Sequence, residues 1–368
     1  MALQKRTNLA LMSRSTIFIL VLLIIGVVAY FFTDNTQPDK ELTADQGIST
    51  MAEELAIDDS TDQDPSLQIQ ISYLLEKEYP GSVLDITETL QTSGSYSTYI
   101  ASYDSEGLKQ FGLLTVPNSD RPENGFPVII FNHGYIAPEE YKTTERYEAY
   151  IDYFARNGYV VFKPDYRSHD QSEGIALGGY ANSDYIVDVL NAVSSIKTLD
   201  YVDENRIGMW GHSMGGWITH RSMVIDESIK TGVIWAGMVG GYDDLIELRQ
   251  PYWVRQGRPD PSPDPENPTR LWRSYLTETY GSPADNPEFW SSVSAVKYLD
   301  RLSGPIQLHH GTGDVSVPAS LSERFYENLK PVSPDSELYV YQGDDHNISQ
   351  NFSLAMQRSL AFFDKSLK

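Results

Sequence analysis

The feature that most narrows what this chain can fold into is a series of short, nearly continuous apolar runs. They are Val128-Ile-Ile-Phe131, Tyr159-Val-Val-Phe162, Ile207-Gly-Met-Trp210, Thr231-Gly-Val-Ile-Trp235, Ile306-Gln-Leu-His309 and Leu338-Tyr-Val-Tyr341. A strand with one wet face alternates apolar and polar residues, whereas a strand apolar at successive positions is covered on both faces. Helical stretches separate several of the runs. Tyr147–Asn157 is one, and Ser320–Leu329 is another. In a third, Ile186, Val189, Leu190, Val193 and Ile196 recur at helical spacing behind Ser183, a candidate cap. Alternating strands and helices predict an α/β domain, with a mostly parallel sheet covered by helices on both faces. Two β-rich stretches, Tyr99–Tyr103 and Leu108–Val116, flank the turn DSEG and predict an opening hairpin. We expect eight strands. No internal repeat is visible, which excludes a solenoid or a propeller.

The rhythm breaks once. From Val239 to Ser303 no strand is signalled, and Asp260–Pro268 reads DPSPDPENP. Residues 239–303 are therefore a candidate lid insertion between late strands. Its aromatics Tyr252, Trp253, Trp272, Tyr275 and Trp290 could line a pocket, although packing of the insertion is the commoner role for such residues.

The chemistry centres on Gly211-His-Ser-Met-Gly215, followed by Gly216. A GxSxG pattern alone is weak, but here it follows a strand-like run and precedes a helix-like stretch, Trp217–Asp226. That is the context of a nucleophile elbow, which lifts the serine above the sheet. A serine hydroxyl needs a base, and the base needs an orienting acid. Asp314 lies just past IQLHH in the loop GTGDVSVP, at the strand end where such sheets collect functional groups. His346, in GDDHNIS, is the only one of seven histidines that follows Asp314, so Ser-Asp-His order selects it. Asp344 and Asp345 are weaker candidates for the acid because they share the loop of His346. Packing roles are expected for His212, His309 and His310. Acyl transfer also needs N–H donors for the developing oxyanion. We assign them to the backbone of Met214, directly after the serine, and of Tyr135, in Phe131-Asn-His-Gly-Tyr135.

These segments together resemble the α/β-hydrolases. They are most similar to the catalytic domain of prolyl oligopeptidase-type serine peptidases and their dienelactone-hydrolase-like relatives. The likeness rests on GLLTVPNSDRPENGFPVIIFNHGY, YVVFKPDYRSHDQSEG, VDENRIGMWGHSMGG, and YGSPADNPEFW running into GPIQLHHGTGDVSVPASLSERFYENL and GDDH. It implies the same assignment, with Ser213 as nucleophile, Asp314 as acid and His346 as base. Two departures accompany it. The stretch before the core is too short for the propeller of full-length prolyl oligopeptidases. Tyr135 stands where the common HGG form has its second glycine. The expected activity is hydrolysis of a peptide or ester bond through an acyl-enzyme. The alternatives are a carboxylesterase on small acyl or carbohydrate esters and, further off, a non-catalytic binding module on the same fold.

Composition now separates the ends of the chain. Thr16 to Phe32 is an uncharged run of 17 residues, able to span about 26 Å as a helix against a hydrocarbon core of ~30 Å. Lys5, Arg6 and Arg14 precede it, and Thr33 to Ser66 carries ten Asp or Glu with Lys40 as its one base. That asymmetry predicts a signal anchor at 16–32, a cytoplasmic amino terminus at 1–15, an acidic disordered tether at 33–66 and an extracytoplasmic catalytic domain at 67–368. The bulky Tyr30, Phe31 and Phe32 disfavour signal-peptide cleavage. A net charge of −23 argues against nucleic acid as a partner. With no cysteine, thiol nucleophiles and thiolate metal sites are excluded. Neither ligand spacing nor a phosphate-binding glycine loop suggests a metal or cofactor.

Overall fold

In the computed structural model, residues 68–175, 178–256 and 272–368 are described. The expected amino terminus, anchor and tether at 1–66, and the proline-rich loop at 260–268, lie outside the described residues. Among the described residues no helix is long and apolar enough to cross a membrane.

Nine strands form one sheet: β1 (Asp85–Ser93), β2 (Tyr96–Ser105), β3 (Leu108–Pro117), β4 (Phe126–Asn132), β5 (Val160–Pro164), β6 (Val202–His212), β7 (Ile229–Trp235), β8 (Ile306–Gly311) and β9 (Glu337–Tyr341). Their order is β1-β2-β3-β5-β4-β6-β7-β8-β9. The first three strands and the β3–β5 pair are antiparallel, and every later pair is parallel. The expected hairpin is β2–β3, turned by Glu106 and Gly107 at φ 53° and 79°, the left-handed pair a tight two-residue turn requires.

The count is nine rather than eight because of β1. Its sequence DITETLQTS carries almost no apolar signal, and its side chains are exposed wherever they are described. It joins the sheet through backbone pairing to β2, interrupted by two irregularities, as an edge strand with no core to fill.

The helices flank the sheet on both sides. They are α1 (Ile71–Glu76), α2 (Glu148–Arg156), α3 (Asp184–Ile196), α4 (Met214–Ile225), α5 (Ala319–Leu329) and α6 (Phe352–Leu367), besides short helical segments in the insertion. Alternate strand residues divide between two apolar clusters. Val128, Ile130, Val160, Phe162, Ile207 and Met209 pack with α3, α4 and α5. Ile129, Phe131, Val161, Trp210, Val233 and Trp235 pack with α2 and α6. This explains the continuous apolar runs, since each successive residue of β4 is buried on one face or the other. Ser183 precedes α3 but its side chain makes no cap; the nearby Asn182 Oδ1 accepts from the Asp184 N–H at 3.2 Å instead.

The insertion contains no strand among its described residues. It runs as short helical segments at Tyr242–Asp244, Leu245–Arg249, Gln250–Arg255, Trp272–Tyr280, Pro287–Ser292 and Ala295–Arg301. Tyr275 and Trp290 are buried, and Tyr242 stands edge-on to Trp217 of α4 at 4.9 Å and to Trp290 at 5.4 Å. These rings pack the insertion against the domain. The side chains of Trp253 and Trp272 lie outside the described residues.

Candidate active site

β6 ends at His212 and α4 begins at Met214, leaving Ser213 in the junction at φ 54° and ψ −117°. A residue with a Cβ rarely adopts this conformation, so the surroundings must hold it. The Ser213 N–H donates to Trp235 O at 3.1 Å, and its carbonyl accepts from Gly216 and Met238 at 3.0 and 2.9 Å. From Ile207 to Val224, Ser213 alone is partly exposed while every other residue is buried. The strained turn thus presents one hydroxyl at the carboxyl end of the sheet.

The glycine that follows is dictated by close approach. A Cβ on Gly215 would lie 1.9 Å from the backbone oxygen of Asn132 in β4. Backbone cannot swing aside as a side chain can. Gly215→Ala is therefore expected to lose more than about 3 kcal/mol of stability. Chemical denaturation reads this as a much lower midpoint, and an unchanged midpoint would contradict this contact between α4 and β4.

Asp314 follows β8 and is 1% exposed. Its Oδ1 accepts from the Ser316 and Val317 N–H groups at 2.7 and 3.0 Å. Its Oδ2 lies 2.6 Å from His346 Nδ1 and 3.2 Å from His310 Nε2. Burial by itself would push the carboxyl up. The bonds from His310 and His346 outweigh it and hold the group well below the usual carboxylate range.

His346 stands on the loop after β9, 21% exposed. That loop is stapled by Asp344, whose Oδ1 accepts from the Asp345 and Gln350 N–H groups and whose Oδ2 accepts from the Asn351 N–H and Nδ2. Asp345 accepts from the N–H groups of Asn347 and Ser349. Both carboxylates serve their own loop, and the ring of His346 is paired with Asp314.

Further histidines and a tyrosine lie around this cluster. His309 is a packing residue, bonded to Tyr341 Oη at 2.8 Å and Gln307 Oε1 at 2.6 Å. Its neighbour His310 does more than pack. Nε2 faces two acceptors, Val317 O at 3.0 Å and Asp314, so it carries the proton, while Nδ1 takes the Ser322 hydroxyl at 2.7 Å. The available signal was its place four residues before Asp314, on the opposite face of β8 from His309. His212 and Tyr147 are the other two: His212 lies 2.9 Å from Tyr147 Oη and 3.0 Å from the carbonyl of His346. The insertion also touches the cluster, because the Tyr252 hydroxyl donates to the Asp314 carbonyl. Tyr135, in the loop after β4, is 38% exposed. The N–H of Gly134 before it is already given to Tyr147 Oη at 2.9 Å.

Comparison with known proteins agrees with this architecture. Residues 126–255 match the family "Serine aminopeptidase, S33", and residues 266–368 match the "Prolyl oligopeptidase family". The chain is 26% identical over 257 residues to the "Uncharacterized peptidase YtmA" of Bacillus subtilis, covering 67% of this chain and 85% of that protein. Among other curated relatives it spans as little as 14% of their length. The solved acetyl xylan esterase of Paenibacillus sp. R4 superposes with a TM-score of 0.59 at 15% identity, over 81% of this chain and 92% of the esterase. The acylaminoacyl peptidase of Pyrococcus horikoshii superposes with a TM-score of 0.55 at 20% identity, over 74% of this chain and 41% of the peptidase.

Proposed function

We propose that this chain, an α/β-hydrolase and a serine hydrolase, cleaves peptide or ester bonds with Ser213 as nucleophile, His346 as base and Asp314 as acid. The observation that carries the reading is the 2.6 Å bond between the buried Asp314 carboxylate and His346 Nδ1, at the sheet end where Ser213 is partly exposed. With its Nδ1 proton held by Asp314, the imidazole keeps Nε2 as the basic nitrogen. It takes the proton of Ser213 Oγ as that oxygen attacks the carbonyl carbon. The carbonyl oxygen becomes negative and is received by the N–H groups of Met214 and Tyr135. Collapse of the tetrahedral intermediate passes the His346 proton to the leaving alcohol or amine and leaves an acyl-enzyme. Water, deprotonated by the same histidine, then releases the acid. Tyr135 is favoured over Gly134 as a donor because the Gly134 N–H is already taken by Tyr147.

A carboxylesterase is the second reading. It is favoured by the superposition on the acetyl xylan esterase, which extends over nearly all of that enzyme, against under half of the acylaminoacyl peptidase. Steady-state kcat/KM on aminoacyl-proline amides and on short p-nitrophenyl esters separates the two. Turnover of both classes is the expected result, and turnover of esters alone would sink the peptidase half. The proposal also places the domain outside the cytoplasm on a signal anchor at 16–32, supported by the basic residues before that run and the acidic residues after it. Retention in the membrane fraction after alkaline extraction, and release on deletion of residues 1–32, is the matching result.

A further inference from the structure

A continuous hydrogen-bonded bridge runs beside Ser213 and joins the two loops on which the proposed reaction depends. Its polarity follows from its ends. The carbonyl of His346 can only accept, so His212 Nε2, 3.0 Å away, carries the proton. His212 Nδ1 must then accept, and the group 2.9 Å from it is the Tyr147 hydroxyl, which donates. The oxygen of that hydroxyl accepts in turn from the Gly134 N–H at 2.9 Å. The order is Gly134 N–H to Tyr147 Oη–H to His212 Nδ1, then His212 Nε2–H to His346 O.

The bridge is held at both ends. His212 is 4% exposed, and its ring lies 4.6 Å from that of His346. Burial foremost, and His346 beside it, bring its pKa down to about 3, so it stays neutral and keeps one tautomer throughout the working range. Tyr147 is itself fixed in a left-handed conformation at φ 59° and stands edge-on to Phe131 at 5.4 Å. Such a backbone persists only where contacts over-determine it. Gly134 is glycine for a matching reason: a Cβ there would lie 2.9 Å from Tyr147 Oη and 3.2 Å from Ser213 Cβ.

We propose that His212 and Tyr147 are positioning residues, which set the loop of the base His346 and the loop of the oxyanion donor Tyr135 at a fixed distance across Ser213. The inference rests on the triad reading above. Neither side chain gives or takes a proton in the reaction; each acts through the backbone group it holds.

Half-conservative variants separate this role from simple packing, assayed in the full chain by p-nitrophenyl acetate hydrolysis, fluorophosphonate labelling and thermal melting. His212→Gln keeps a donor near the Nε2 position, His212→Asn keeps polarity only near Nδ1, and His212→Leu keeps neither. The expected result is a 10- to 100-fold fall in kcat for His212→Leu, of the size that misplaced reacting groups produce, with KM within about twofold. His212→Gln should recover most of that loss and His212→Asn little of it. Tyr147→Phe should lower kcat without further loss when combined with His212→Leu, because both cut one bridge. Losses in kcat that are equal for all three His212 variants and follow their melting temperatures would overturn the inference, as would strictly additive losses in the double variant. If His212→Leu fails to fold, His212→Gln and Tyr147→Phe carry the same comparison. Wild-type protein that is neither labelled nor active overturns the triad reading and this inference with it. Active wild type with unaffected variants overturns this inference alone.

Discussion

Ser213→Ala is expected to lower kcat/KM on the best ester substrate by at least about 10⁴-fold, a loss of about 5.5 kcal/mol of transition-state stabilisation, and to abolish fluorophosphonate labelling. The fold should be retained. Only Oγ is lost, while the backbone bonds of residue 213 to Trp235, Gly216 and Met238 remain, and alanine meets the same strained φ that serine already accepts. The melting temperature should therefore stay close to that of wild type while activity disappears. Equal labelling of wild type and variant would refute the serine as nucleophile.

Asp314→Asn should cost nearly as much activity for a different reason. The carboxylate accepts four donors, two backbone N–H groups on Oδ1 and two imidazole nitrogens on Oδ2. An amide has one accepting oxygen and a donating nitrogen. If its oxygen keeps the Ser316 and Val317 N–H groups, its NH₂ faces His346 Nδ1 and favours the tautomer with the proton on Nε2. A base already protonated at Nε2 cannot take the serine proton, and a fall of about 10⁴-fold in kcat is expected. Stability responds as well. Because the folded pKa of Asp314 is depressed, its ionised form stabilises the protein at pH values above the unfolded carboxylate pKa, ~3.9, and that contribution is lost as pH falls through the folded value. The gap in melting temperature between wild type and Asp314→Asn should thus be fully present at neutral pH and shrink on acidification below about pH 4. A gap that widens in acid would contradict the depressed pKa.

How much of this is legible in the sequence depends on what each residue reports to its neighbours along the chain. The parallel strands are legible because both faces are buried, so β4 and β5 read as unbroken apolar runs. β1 is not, because an exposed edge strand is held by backbone bonds that any side chain permits. The strand-end positions of Ser213, Asp314 and His346 can be read from glycine-rich turns that follow apolar runs. The contacts of His310 and His212 cannot, since a histidine in a strand looks alike whether it packs, as His309 does, or turns a nitrogen toward a carboxylate. Tyr147 is further removed: nothing around it announces that its hydroxyl meets residues 134 and 212.

The amino-acid sequence by itself therefore determined the α/β class, the parallel part of the sheet, the elbow and the chain order of the proposed triad residues. These depend on local periodicity and on glycine at positions where a Cβ would collide. Only the tertiary structure decided which carboxylate faces His346, that two imidazoles share it, and that Tyr147 and His212 join two loops across Ser213. Those relations are set by hydrogen bonds a few ångströms long between residues up to 134 positions apart. Their partners are chosen by how the strands are ordered in the sheet, which no local pattern encodes.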